Sequence, residues 1–330
     1  MANDKKYKGK MIKLEKIFKR YTDSDKGLTL KQIADKLKEY DDSADRKTLY
    51  RDFDDLRAAG IEVESKRVGK STVYYVEDDL FDLAELKILI DSIQASKFIT
   101  PKKSKIIVNK LKTLTSVNRA EGLAREVIIE PVKAENENVL YNVDHINEAI
   151  CKERQISFQY YSYGVDKRRK PRHEGKIYHV SPWALVYNRD KYYLIAYSTD
   201  HPGDLVHYRV DRMDKVNVEE KEKRVGEEFF KKRETKNYLT KTFSMYRGDK
   251  EEKVTFECTN ALADVVIDRF GKDPVFEIID DGHFRFSTEI GISRQFYGWV
   301  AGIGKDMKIV APQSVVDGYT SYLDEILKSY

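Results

Sequence analysis

The chain has 330 residues, 41% of them hydrophobic and 35% charged, and a formal net charge of +4. That length predicts two or three domains, and no apolar stretch approaches the ~18 residues that a membrane span needs. Two cysteines, Cys151 and Cys258, lie far apart and exclude a disulfide scaffold or a cysteine-based zinc finger. The opening Met1–Lys6 stretch is charged with no apolar region behind it, so no signal peptide is expected and the chain reads as a cytoplasmic protein.

The charge is unevenly placed. Residues 1–77 carry 19 Lys and Arg against 15 Asp and Glu, and residues 154–218 carry 12 against 7. The rest is mildly acidic. Two basic segments predict two separate anion-facing surfaces.

In chain order, the first helix is predicted over residues 10–21, with Ile12, Leu14, Ile17, Phe18 and Tyr21 near a helical period. Thr29-Leu30-Lys31-Gln32 fits a capping box that opens a second helix. A third is expected from Ala44 to Ala59, with Asp42 or Ser43 as N-cap and Gly60 just past its end. Leu49, Phe53 and Leu56 give it an inner face, while Arg46, Lys47, Thr48, Tyr50 and Arg51 crowd its opening turns and Asp52, Asp54 and Asp55 its later ones. A basic, polar N-terminal end suits a helix that enters the major groove of duplex DNA. Ile61 to Val76 then alternates as two strands around a Val68-Gly69-Lys70-Ser71 turn. Three helices and a basic hairpin predict a winged helix-turn-helix over residues 1–78. The candidate DNA ligands are Lys31, Arg46, Lys47, Thr48, Tyr50, Arg51, Lys66, Arg67 and Lys70.

Residues 79–142 read as a helical linker with a self-association surface. Asp82 caps one helix and Pro101 opens another. A strand is expected over 127–132 and a short helix over 144–153. From Ile156 the period becomes two, with Ile156, Phe158 and Tyr160 on one face. A basic loop, Lys167 to Arg172, follows, and then short strands near 178–180, 184–187, 192–197, 205–210 and 215–218. Such spacing predicts a small bent sheet or barrel over residues 143–220. Eleven of the 65 residues in 154–218 are aromatic, and four of the six histidines lie there (His173, His179, His201 and His207). Aromatic faces interleaved with Arg and Lys suit single-stranded nucleic acid or nucleotides. Beyond it, residues 221–330 follow a β-α-β-β-α-β order with a trailing helix, a ferredoxin-like pattern. No paired-carboxylate, His-x-His or zincin spacing appears. The chain is therefore expected to have no catalytic residues, no metal and no cofactor.

These residues carry a resemblance. Ile156-x-Phe158-x-Tyr160, Pro182, Tyr192-Tyr193-Leu194 and Tyr208-Arg209-Val210-Asp211-Arg212 resemble the WYL domain, with Tyr192 in the place of the family's Trp. Arg46-Lys47-Thr48-Leu49-Tyr50-Arg51-Asp52 resembles the Arg-x-Thr-x-x-Arg-Asp of the helix-turn-helix that commonly precedes it. The resemblance implies an α+β multidomain transcriptional regulator: a winged helix, a helical linker, a WYL barrel of SH3/Sm-like type and a ferredoxin-like C-terminal extension. It implies a homodimer, most simply a repressor, that binds a double-stranded operator. It also implies an anionic effector, either a small molecule, a nucleotide or a single strand. By position, the implied effector ligands are Tyr160, Arg209 and Arg212, with His179, Ser181 and His207 beside them. An alternative from another class is an accessory protein that holds single strands while modulating a partner enzyme.

Overall fold

The computed structural model describes residues 2–77, 80–123, 133–231 and 250–330, with side chains from residue 9 onward. The strand expected over 127–132 lies outside the described residues. The chain divides into two compact units, Met1–Glu137 and Asn138–Tyr330.

The first unit opens with α1 (Ala2–Tyr21), α2 (Leu30–Glu39) and α3 (Arg46–Ala58), followed by the antiparallel hairpin β1 (Val63–Val68) and β2 (Ser71–Val76). Leu14, Ile17 and Phe18 of α1, Ile33 and Leu37 of α2, and Leu49, Phe53 and Leu56 of α3 close one core with Val63, Tyr74 and Val76. The predicted capping box forms: Gln32 N–H donates to Thr29 Oγ1, and the Gln32 side chain accepts from Thr29 N–H at 2.8 Å. The N-cap of α3 is Asp45 rather than Asp42 or Ser43. Residues 42–45 stay out of the helix, where Asp42 Oδ1 accepts the Ser43 N–H. Asp45 accepts Thr48 N–H at 2.8 Å, and that bond holds its carboxyl below the usual range. Gly60 adopts φ +88 just past the helix, a conformation that favours glycine.

The same unit continues with α4 (Leu83–Ala95), α5 (Pro101–Leu111) and α6 (Val117–Gly122). Glu85 accepts Asp82 N–H at the start of α4, and Pro101 opens α5 behind Thr100. Leu86, Ile90 and Val108 pack together. Arg119 of α6 donates to Ser24 Oγ at 2.8 Å and to Glu77 Oε1 at 3.0 Å. These bonds join the α1–α2 turn and the end of the hairpin to the later helices.

The second unit begins with α7 (Val139–Cys151), which starts five residues before the expected position at 144. Val139, Asn142 and Ile146 are buried, and Asn142 Nδ2 donates to the Met213 carbonyl. Strands β3 (Arg154–Tyr163), β4 (Arg169–Pro171), β5 (Ile177–Asn188), β6 (Lys191–Tyr197) and β7 (Leu205–Arg209) pair in the order β4-β3-β5-β6-β7. A 3₁₀ turn, Val210–Arg212, leads into β8 (Met213–Lys223), which returns to pair with β3. The two strands expected near 178–180 and 184–187 are one strand, β5. A register shift between Pro182 and Ala184 lets it bend through the proline. The sheet is not a closed barrel: among the described residues β7 pairs only with β6, because the 3₁₀ turn carries the chain across to β3. Ile156, Phe158, Tyr160, Tyr178, Leu194 and Tyr208 form its core with Ile146 of α7.

Past β8, a five-residue helix α8 (Glu227–Lys231) lies on the other face of β5–β6–β7. Gly226 turns the chain into it with φ +86, and a Cβ there would stand 2.3 Å from the Tyr197 ring, so only glycine fits.

The rest of the second unit comprises β9 (Lys250–Thr259), α9 (Ala263–Phe270), β10 (Glu277–Ile278), β11 (His283–Ile292), α10 (Arg294–Ile303), β12 (Met307–Ala311) and α11 (Gln313–Leu327). Their sheet is antiparallel in the order β10-β11-β9-β12. Ser293 caps α10 through Phe296 N–H. Phe256, Phe286, Phe296 and Val300 form the core.

Candidate functional site

The opening turns of α3 present Arg46, Lys47 and Arg51 to solvent. Their neighbours come from two other elements. Lys31, exposed at the start of α2, and Lys70, at the tip of the hairpin, line with Arg46 and Tyr50 a cleft of about 560 Å³. Within it, Tyr74 Oη bonds Tyr50 Oη at 3.3 Å, and Arg46 Nη2 donates to Tyr50 Oη at 3.4 Å. Those two bonds hold the Tyr50 hydroxyl below its ordinary range. Arg67 is exposed on β1, and Thr48 is half-buried with its N–H committed to the Asp45 cap. Lys66 is placed differently from the rest. Its Nζ donates to the Ser24 and Asp25 carbonyls and lies 5.4 Å from the Tyr75 ring centre. It secures the hairpin to the α1–α2 turn.

Asp52 departs from its neighbours. The sequence pattern groups it with the acidic residues of the later turns, yet it is fully buried. Three residues past Leu49, it falls on the inner face of α3. There its Oδ2 stands 2.7 Å from Nζ of Lys10, which is 9% exposed. The Arg51-Asp52 pair therefore divides, one charge facing solvent and the other facing the core.

The second cluster surrounds the end of β3. Tyr160 is buried, and its Oη accepts the Arg209 N–H at 3.1 Å. Burial pushes its hydroxyl up in pKa, against the Arg209 N–H and the Arg212 and Arg209 charges that pull it down. The phenol stays neutral as an anchor. Arg209 itself is committed. Its Nε and Nη2 make a two-bond fork to Asp211 at 3.1 and 2.8 Å, and Lys191 joins at 3.5 Å. Burial opposes the Asp211 charge, but the bond and charge of Arg209 hold the carboxyl below its usual range. Arg212 differs. Its Nε is buried with no hydrogen-bond partner among the described residues.

Register explains what gathers there. Tyr160 pairs with Met213 of β8, placing Arg212 beside it on one flank. On the other flank Tyr161 pairs with Pro171 of β4, which brings Arg169 and Arg172 near. The Arg172 guanidinium lies 5.9 Å from the Tyr160 ring centre, and that of Arg169 4.6 Å from the Tyr161 ring centre. Arg169 Nη2 is also buried with no hydrogen-bond partner among the described residues. An unsatisfied, partly desolvated guanidinium is costly unless an anion meets it. Arg169 and Arg172 are not legible as site residues from sequence. The run from Lys167 to Arg172 reads equally as a solvated loop, and only the β3–β4 register separates its members.

The remaining expected ligands are dispersed. Ser181 is buried, and its Oγ accepts the Val225 N–H at 3.0 Å, so it holds the chain entering α8. His179 is exposed on β5. His207 is half-buried on β7, opposite Ile195 and on the α8 side of the sheet. Among the described residues, no group of three or more His, Cys, Asp or Glu could hold a metal ion. No helix among them is long and apolar enough to cross a membrane.

Comparison with known proteins places domains on this geometry. Residues 141–218 match the WYL domain and residues 250–327 match the WCX domain. No curated protein matches the chain. Among solved structures it is similar to proteasome accessory factor B/C (PafBC) of Arthrobacter aurescens, at 17% identity and a TM-score of 0.27. That match covers 94% of this chain and 45% of the other, so this chain spans under half the length of that relative. It is also similar to a CRISPR Cas-related protein, at 14% identity and a TM-score of 0.34, covering 89% of this chain and 76% of the other.

Proposed function

We propose that this chain, with its WYL and WCX domains, is a DNA-binding regulator whose hold on duplex DNA is set by an anion bound at the WYL domain. The first 77 residues act as a winged helix-turn-helix. α3 enters the major groove by its basic end, with Lys31 and the hairpin's Arg67 and Lys70 on flanking phosphates. Lys66 contributes by fixing the hairpin. The observation that carries this reading is the exposure of Arg46, Lys47 and Arg51 at the start of a helix whose opposite face is the core. The protein works as a homodimeric repressor on a roughly palindromic operator.

The effector site is the guanidinium cluster beside Tyr160. Arg212 offers a donor unmet among the described residues and Arg172 adds charge, while Arg169 stacks on Tyr161, which strand alternation turns to the other face of β3. A phosphate fits such planar donors. Nucleotides and single strands bring phosphates together with stacking bases, which the aromatic composition suits.

Arg212→Ala tests this assignment. A charge-assisted bond is worth about 1.5–3 kcal/mol, so affinity for a short 5′-phosphorylated oligonucleotide is expected to fall roughly 10- to 100-fold. Arg209→Ala is expected to do less to anion contact and more to stability, because its guanidinium already belongs to Asp211. Fluorescence anisotropy reads both. Unchanged affinity in Arg212→Ala would remove this cluster from the effector site.

A further inference from the structure

The outer face of β5–β6–β7 is an aromatic strip. Strand alternation sets Tyr193, Ile195 and Tyr197 on it, spaced about 7 Å apart along β6, with Trp183 and Val186 of β5 alongside. The helix α8 covers one end. Phe229 stacks on Tyr197 with centroids 5.0 Å apart and planes within 6°, and Phe230 stacks on Trp183 at 5.3 Å and 21°. The Arg224 guanidinium lies 3.9 Å from the Trp183 ring centre, and Arg209 follows Tyr193 at the other end of the strip.

The attachment of α8 is lopsided. The chain just before it is anchored: Val225 N–H donates to Ser181 Oγ, Trp183 Nε1 donates to the Val225 carbonyl at 3.1 Å, and Gly226 makes the turn. Beyond Gly226 none of its five residues is fully buried. A helix of five residues has no stability of its own, so among the described residues it is Phe229 and Phe230, packed on Tyr197, Trp183 and the Ile195–Leu205 cluster, that hold it to the sheet. Flat rings stacked on a sheet with cations at the margins form the arrangement in which proteins hold unpaired bases.

We infer that α8 is an internal occupant of a base-stacking platform. Unpaired bases of a single strand displace Phe229 and Phe230 from Tyr197 and Trp183, and α8 swings away about Gly226. The strand's phosphates pass Arg224, whose guanidinium flanks the Trp183 end of the strip. This rests on reading the WYL domain as responsive to nucleic acid, but it places the bases on the face opposite the core of Tyr160 and Tyr208.

The test is anisotropy of labelled oligothymidylate on the full chain. Phe229→Ser with Phe230→Ser is expected to bind about 10-fold tighter than wild type, because the competitor is gone. Equal or weaker binding overturns the inference. Hydrogen exchange on the wild-type chain gives a readout that needs no variant. Saturating oligothymidylate is expected to speed exchange at amides 227–231, while an abasic strand of equal length leaves them protected. Unchanged or slower exchange with the base-bearing strand overturns the inference. If Arg212→Ala still weakens oligonucleotide binding in that case, the anion site stands and only the role of α8 falls.

Discussion

Replacing Arg46 and Arg51 together by alanine is expected to abolish specific duplex binding while leaving the fold intact. Both side chains are exposed, and neither belongs to the core of Leu49, Phe53 and Leu56. A base-edge or phosphate contact by arginine is worth about 1–3 kcal/mol. Two contacts together then cost about 2–6 kcal/mol, enough to bring a specific complex down to the level of non-specific association. The helix N-terminus remains capped by Asp45, so the circular dichroism spectrum and melting temperature should match wild type. Lys66→Ala gives the contrasting result. Its ammonium is already bonded to the Ser24 and Asp25 carbonyls, so its removal loosens the hairpin and costs binding only indirectly. Electrophoretic mobility shift with an operator selected from random duplexes measures all three chains. Wild-type affinity in the double variant would take α3 out of the groove.

Local signals in the sequence located most elements, and the reason is physical. The capping box at Thr29 and Gln32, the helix opening at Pro101 and the turn at Gly69 each act within a few residues, so spacing alone reveals them. Where a distant partner decides the outcome, spacing misleads. Asp52 reads as one acid among several, and only the helical face it shares with Leu49, together with Lys10 on α1, shows it as a core charge. Pro182 reads as a strand end, but the register shift beside it carries β5 through. Arg209 reads as an effector ligand, and nothing in its spacing shows that Asp211 holds its fork. Ser181 reads as a site hydroxyl, and nothing in its spacing shows that it accepts the Val225 N–H. Arg169 and Arg172 reach Tyr161 and Tyr160 through a strand pairing that no linear pattern announces.

The second large effect is on stability. Asp52→Ala removes the carboxylate 2.7 Å from the Lys10 ammonium at a nearly dry site, where the pair is 0% and 9% exposed. Breaking a buried ion pair from one side costs about 3–5 kcal/mol, against a total of about 5–15 kcal/mol for a domain. The first unit is therefore expected to melt at much lower denaturant, as followed by helical circular dichroism. The second unit should be unaffected, as followed by fluorescence of Trp183 and Trp299, both of which lie in it. Combining Lys10→Met with Asp52→Leu should recover much of the loss, because both members of the buried pair are then replaced by apolar groups. A single variant as stable as wild type would show that this pair contributes nothing.

The central claim is that anion binding at the WYL domain and duplex binding at α3 are coupled. Linkage requires that an effector that alters duplex affinity be altered equally in its own affinity by the duplex. The direct measurement is the duplex dissociation constant of the full chain, with and without a saturating short phosphorylated single strand. A shift of about 5- to 150-fold is expected for coupling of ordinary size, and Arg212→Ala should erase it while leaving the unliganded duplex affinity in place. Identical duplex affinities with and without a strand shown to be bound would contradict the account.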